Sequence, residues 1–303
     1  MGKKILHFIF FGNYFVGLLA VALSIEGTMQ QKLPFNSLNY YLLLFLAPTI
    51  YYTYAYNKAT TKPALDNPRS QWYYKHKNFI NKSQLVLIVL CLFLGGRLLY
   101  INFDGILKLP LIYWISIGII VLAAILYYGL LPKSFIKFNL RNTGWLKAII
   151  IGFVWACFAN VLPLIMLKIE TGATNHDAIF WTWLFIKNFM FCTVNAIIFD
   201  IKDYPTDSNK QLQTVVVKLG LRRTIFYIVL PLVITGMIAF LISATYKGFG
   251  PLTLIINLIP FVLTLIVSYT MLKRKNILYY LIIIDGLILV KALCGILGTA
   301  FIK

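Results

Sequence analysis

Three of the nine acidic residues in this chain, Asp200, Asp203 and Asp207, fall within eight positions, where a long apolar segment gives way to a basic loop. Spacings of three and four residues put side chains on one face of a helix, so these carboxylates would emerge together at a helix end. Carboxylates gathered at the rim of an apolar bundle suit a hard cation such as Mg2+, which takes oxygen ligands, keeps several waters and is usually shared with substrate phosphates. Asp200, Asp203 and Asp207 are therefore the candidate metal ligands.

The elements that must position them are read from composition. A hydrophobic fraction of 60%, a charged fraction of 12% and a mean hydropathy of +0.81 lie far from soluble domains, in which about a quarter of residues are charged. The chain reads as an all-α integral membrane protein, a single polytopic domain over residues 1–303. Apolar runs of roughly 20 residues cross a bilayer, and nine are expected, near 6–24, 38–56, 83–101, 111–129, 146–168, 178–199, 224–245, 251–272 and 277–300. The amino terminus, 57–82, 130–147, 200–223 and 273–275 together hold 20 of the 28 Lys and Arg. Cytoplasmic loops carry such an excess, so the amino terminus is expected inside the cell (inner) membrane, with loops 57–82 and 200–223 covering a cytoplasmic site. The same bias accounts for the net charge of +19. No nucleic-acid motif or long basic arm accompanies it, and nucleic acid is not an expected partner. The basic start, Met1-Gly2-Lys3-Lys4, precedes a long apolar stretch with no small-residue cleavage site before Glu26, which favours a retained first span. Cys91, Cys157, Cys192 and Cys294 lie inside spans and read as packing residues.

The run Asp200-Ile201-Lys202-Asp203-Tyr204-Pro205-Thr206-Asp207, continuing through Lys210 and Thr214 to Lys218-Leu219-Gly220, resembles the second aspartate-rich motif of the UbiA superfamily of intramembrane prenyltransferases. A second stretch, Tyr127-Tyr128, Leu140-Arg141, Leu146-Lys147 and Trp155, is similar to the tyrosine, basic loop and lysine of the same family. The resemblance implies a nine-helix bundle in which a prenyl group passes from a prenyl diphosphate to a lipophilic acceptor. Mg2+ would lie between two aspartate-rich motifs. It also implies catalytic roles for Asp200, Asp203, Asp207 and Lys147, and substrate contacts for Asn57, Arg69, Tyr127, Tyr128, Arg141 and Tyr204. Cations neutralise a diphosphate leaving group, and aromatic faces stabilise developing allylic cation character where water is scarce.

The first motif departs from the family. Asn57 is followed at the equivalent spacings by Thr61 and Leu65, where the pattern has aspartates, and Asp66-Asn67-Pro68-Arg69 supplies one displaced acid. Lys58, Lys62, Arg69, Lys75 and Lys77 offer cations instead, which hold phosphate directly, arginine through a bidentate fork.

Two more ionisable residues sit at membrane depth, Lys187 near the middle of the sixth span and Asp285 about nine residues into the ninth. Unpaired charges are costly there, so the two are expected to face the interior as a pair. His7, His76 and His176 are dispersed and make no metal site. Two other functions stay open on the sequence: a non-catalytic homologue that binds an isoprenoid lipid or diphosphate, favoured by the missing aspartates, and a transporter using Lys187 and Asp285 as a relay.

Overall fold

The computed structural model describes the backbone of residues 2–59, 67–128, 144–173, 177–209, 214–273 and 275–301. Within these, the side chains of 58–59, 126–128, 145 and 205–209 are not described. The described residues form helices and no strands. That is the requirement for backbone in hydrocarbon, where every N–H and C=O must find its partner within the segment.

The helices run α1 (Gly2–Phe11), α2 (Tyr14–Gln30), α3 (Leu38–Ala59), α4 (Pro68–Lys75), α5 (Lys77–Ile101), α6 (Phe103–Leu107), α7 (Leu111–Tyr128), α8 (Gly144–Asn160), α9 (Leu162–Thr171), α10 (Ala178–Asn209), α11 (Val215–Leu219), α12 (Leu221–Tyr246), α13 (Pro251–Thr270) and α14 (Ile277–Thr299). Among the described residues six helical segments are long and apolar enough to cross a membrane, Lys77–Ile101, Leu146–Thr171, Ala178–Tyr204, Leu221–Tyr246, Pro251–Thr270 and Ile277–Thr299. The pair α1 and α2 makes a seventh if its bend is allowed. The expected count of nine is therefore not reached by length and hydropathy. Leu38–Ala59 interrupts its apolar run with polar tyrosine tips and two asparagines, and the apolar stretch Leu111–Ile125 is short.

The first expected span, 6–24, is not one straight helix. Its two halves meet at 62°, at Asn13, whose φ of 62° lies in the left-handed region. Asparagine tolerates that region through local hydrogen bonding, and here its amide donates to Thr53 Oγ1 at 3.0 Å and to Tyr73 Oη at 3.2 Å. The helix then continues to Gln30, six residues past the expected end.

Helix α10 is the axis of the bundle, since 72% of its apolar window is buried against 11% for α5. It packs along α8 and α12, and α14 packs along both α2 and α13. Close approach of α8 and α10 requires Gly152, where an added Cβ would lie 2.1 Å from Thr193 Oγ1 and 2.8 Å from Thr193 Cα. Small residues at such contacts let backbones approach when hydrophobicity gives no drive between spans. All four cysteines are free and three are buried, as packing residues should be.

Polar contacts sort the helix ends into two groups. At one end Asn13 meets Thr53 and Tyr73, Arg69 meets Asn13, and Lys147 meets Asp200. At the other Asn36 reaches the Pro163 carbonyl, the Ser37 N–H donates to Glu170, and Lys247 meets Asp177. The basic segments flanking 57, 147 and 200 thus converge on one face of the bundle.

Candidate functional site

The site is built from three walls at the basic end. On α10, Asp200 is buried, 2% exposed, and its Oδ1 lies 2.5 Å from Lys147 Nζ on α8. One turn further along α10, Asp203 is more open and pairs with Lys202 at 3.0 Å. Tyr204 follows with its ring exposed. Asp207 belongs to the same helix, but its side chain lies outside the described residues. Beyond it the motif folds as its residue types dictate. Thr214 caps α11 by accepting from Val217 N–H at 3.2 Å, a common use of threonine at a helix start. Gly220 then adopts φ 76°, which glycine takes without a Cβ penalty.

The second wall is α4. Asn67 caps it by accepting from the Arg69 and Ser70 N–H groups at 3.0 and 3.3 Å, with Pro68 in the first turn. This start aims Arg69 inward, where it is 7% exposed. Its Nη2 donates to the Phe11 carbonyl at 3.1 Å and to Asn13 Oδ1 at 2.7 Å. Its guanidinium lies 4.2 Å from the centre of the Tyr56 ring, a cation–π stack. Its Nε is buried without a hydrogen bond.

The third wall is an apolar pocket of about 190 Å3 between α3, α7 and α8, lined by Pro48, Tyr51, Tyr52, Ile151, Trp155 and Phe158 among others. Along α8, Lys147, Ile151, Val154 and Phe158 are spaced four, three and four, so the lysine shares the pocket's face one turn below it. Along α3, Tyr52 and Tyr56 are likewise one turn apart, and Tyr56 carries Arg69. Both walls thus lead from apolar surface to a cation in the same direction.

Of the residues expected from sequence, Asp200 and Lys147 come together, and Arg69 is buried at the same end. Asn57 instead donates to Asn81 Oδ1 at 2.8 Å. The side chains of Tyr127 and Tyr128 and the whole of Arg141 lie outside the described residues. Of the three aspartates that the resemblance assigns to Mg2+, the side chains of Asp200 and Asp203 are described, each beside a lysine, and Mg2+ takes one or two carboxylates together with water and phosphate oxygens.

The expected pair of Lys187 and Asp285 is corrected. Lys187 Nζ lies 3.3 Å from Glu26 Oε1 and 3.0 Å from Gln30 Oε1, and Glu26 Oε2 is held by Lys291 at 2.5 Å. Glu26 is fully buried and both lysines are 3% exposed. Matching depth gave the wrong partner because depth says nothing of rotation about the helix axis, and because α2 runs deep enough to bring in Glu26. The available signal was an isolated glutamate within three residues of an apolar run. Asp285 follows a π-helical turn, Tyr280–Ile284, and is 9% exposed. The cations whose charge reaches it are Arg69 and Lys202, so it belongs to the basic end.

No protein-family model matches the chain, and no curated protein matches it. A solved structure reported for digeranylgeranylglyceryl phosphate synthase in membranes is similar to it, with a TM-score of 0.56 at 17% sequence identity over 99% of each chain. The fold is that of a helical membrane bundle similar to this synthase.

Proposed function

We propose that the chain is a UbiA-type prenyltransferase, which moves a prenyl group from a prenyl diphosphate to a lipophilic acceptor at the basic end of the bundle. The observation that carries this reading is the apolar pocket with a cation one turn below it on each of two walls, Lys147 beneath Ile151 and Arg69 stacked on Tyr56 beneath Tyr52. An amphiphile with an apolar tail and an anionic head matches that pattern. The fold likeness to a membrane synthase supports it, as does the motif around Asp200.

In the reaction, the bond between prenyl C1 and the diphosphate oxygen breaks and its electron pair leaves with the diphosphate. The acceptor's nucleophile forms the new bond to C1, and its proton passes to the released diphosphate. Lys147 and Arg69 stabilise the growing negative charge, and Tyr52 and Trp155 keep water from the allylic carbon. The basic end faces the cytoplasm in this reading, so reporters fused after residues 70 and 210 should both report that side. Engagement of both described aspartates by lysines favours one alternative, a homologue that binds the prenyl diphosphate without turning it over.

The test is to incubate protein in lipid nanodiscs with radiolabelled geranyl, farnesyl and geranylgeranyl diphosphates and a membrane lipid extract as acceptor source. Label should move into an apolar product, at least tenfold less with Lys147→Ala. Saturable binding without product selects the non-catalytic reading. Absence of binding by every prenyl diphosphate refutes both.

A further inference from the structure

The apolar pocket has two unlike ends. Along one face of α3, Tyr40, Leu44, Pro48, Tyr52 and Tyr56 recur at one-turn spacing. Tyr56 carries Arg69 at the basic end, Tyr52 and Pro48 line the pocket, and Leu44 and Tyr40 beyond them are buried in the core. Along α8 the order is Lys147, Ile151, Trp155 and Phe158, the last three lining the pocket. Phe158 stands eleven residues past Lys147, or about 16 Å at 1.5 Å per residue, and so belongs to the end remote from the cations.

That remote end is built to stay shut. Trp155 meets the Phe158 ring edge-on, with centroids 5.7 Å apart, and Pro48 faces them from α3. Behind this stop, Tyr40 is fixed by a hydrogen bond between its hydroxyl and that of Ser24 at 3.0 Å. Toward α7 the wall is bridged by Tyr51, whose hydroxyl donates to the Ala124 carbonyl at 3.3 Å. Interiors packed in this way yield little, and extra methylenes forced into them are destabilising.

Volume then limits what fits between the cations and the stop. An apolar cavity of about 150 Å3 takes up one benzene, six carbons. At about 190 Å3 this pocket has room for about eight carbons by the same measure. With its first carbons at the mouth beside the diphosphate, a geranyl group fills that space. Farnesyl and geranylgeranyl groups carry one and two further isoprene units, with aromatic rings in front of them.

We propose that this pocket measures the prenyl chain, admitting a geranyl group and discriminating against longer ones, with Phe158 as the stop that sets the limit. This rests on the reading of the substrate as a prenyl diphosphate.

The test is displacement of radiolabelled geranyl diphosphate from the full chain in lipid nanodiscs by unlabelled geranyl, farnesyl and geranylgeranyl diphosphates, each concentration corrected for partition into empty discs. Wild type should bind geranyl diphosphate at least tenfold more tightly than geranylgeranyl diphosphate, with farnesyl diphosphate between them. Phe158→Ala should move that ratio at least tenfold toward the longest chain, and Phe158→Leu, which keeps apolar bulk, by a smaller factor. A ratio of two affinities on one sample is independent of the fraction folded, so partial misfolding of either variant does not mimic the effect. Wild-type affinity that stays level or rises with chain length overturns this proposal, since longer tails then leave the pocket by another route, and the substrate reading stands. Selection for geranyl that persists unchanged in both Phe158 variants equally overturns it, because the limit then lies elsewhere. Absence of binding by every chain overturns the substrate reading, and this proposal with it.

Discussion

Replacing Glu26 by glutamine should destabilise the bundle far more than loss of two hydrogen bonds would. Glu26 is fully buried between two lysines that are each 3% exposed, so the neutral isostere leaves two ammonium groups in the core without a counter-charge. Hydrogen bonds between membrane helices average about 0.6 kcal/mol in double-mutant cycles, because the unfolded state in the membrane also finds partners. Two such bonds amount to roughly 1 kcal/mol. Removing one member of a buried ion pair costs about 3–5 kcal/mol, since the remaining charge stays desolvated, and that is more than about a hundredfold in the folding equilibrium at 1.4 kcal/mol per tenfold. The charge effect should therefore win. The assay is reversible unfolding by SDS in mixed micelles, with wild type, Glu26→Gln, and a triple variant carrying Glu26→Leu, Lys187→Met and Lys291→Met. The triple variant should recover most of the loss, because apolar residues of similar volume replace buried ion networks at little cost. A Glu26→Gln loss of about 1 kcal/mol or less would refute the reasoning, since the lysines would then be satisfied by something other than this carboxylate.

Three further outcomes are expected. Gly295→Ala should destabilise by about 1–3 kcal/mol in the same assay, because its Cβ would lie 2.4 Å from Glu26 Oε1 and 2.5 Å from Glu26 Cγ, atoms pinned by the two lysines. Lys187→Met and Asp285→Leu should be additive within about 0.3–0.5 kcal/mol; a larger coupling would show that these residues touch after all. Asp177 accepts from Lys247 at 2.8 Å and from the Phe180 N–H at 3.0 Å, and the Lys247 hydrogen bond is the main cause that holds its carboxyl below the ordinary 3.8. A carboxyl lowered on folding adds stability above its unfolded value and loses it as pH falls through the folded one. Wild type should therefore exceed Asp177→Asn in stability at neutral pH, with the gap closing below pH 3.8, and a gap constant across that range would count against the pairing.

The sequence by itself determined the class of the molecule and the end at which its basic segments gather. Apolar runs of roughly 20 residues leave helices as the solution in a bilayer, and helical spacing put Asp200 and Asp203 on one face before any fold was known. The basic flanks marked the end where Lys147 meets Asp200 and where Arg69 is buried. The N-cap sequence Asn67-Pro68 and the left-handed glycine at 220 were also local, since both depend on backbone rules a few residues long. Tertiary structure decided what depends on how helices are rotated and bent. The 62° break at Asn13 follows from bonds to Thr53 and Tyr73, residues 40 and 60 positions away. The partner of Lys187 is Glu26, although Asp285 matches its depth, because packing of α2 against α10 and α14 sets which faces meet. The pocket beneath Tyr52 and Trp155 needs three helices to exist at all. That the aspartates hold lysines was equally hidden, since a run of residues in one helix does not say which side chains of another will reach it.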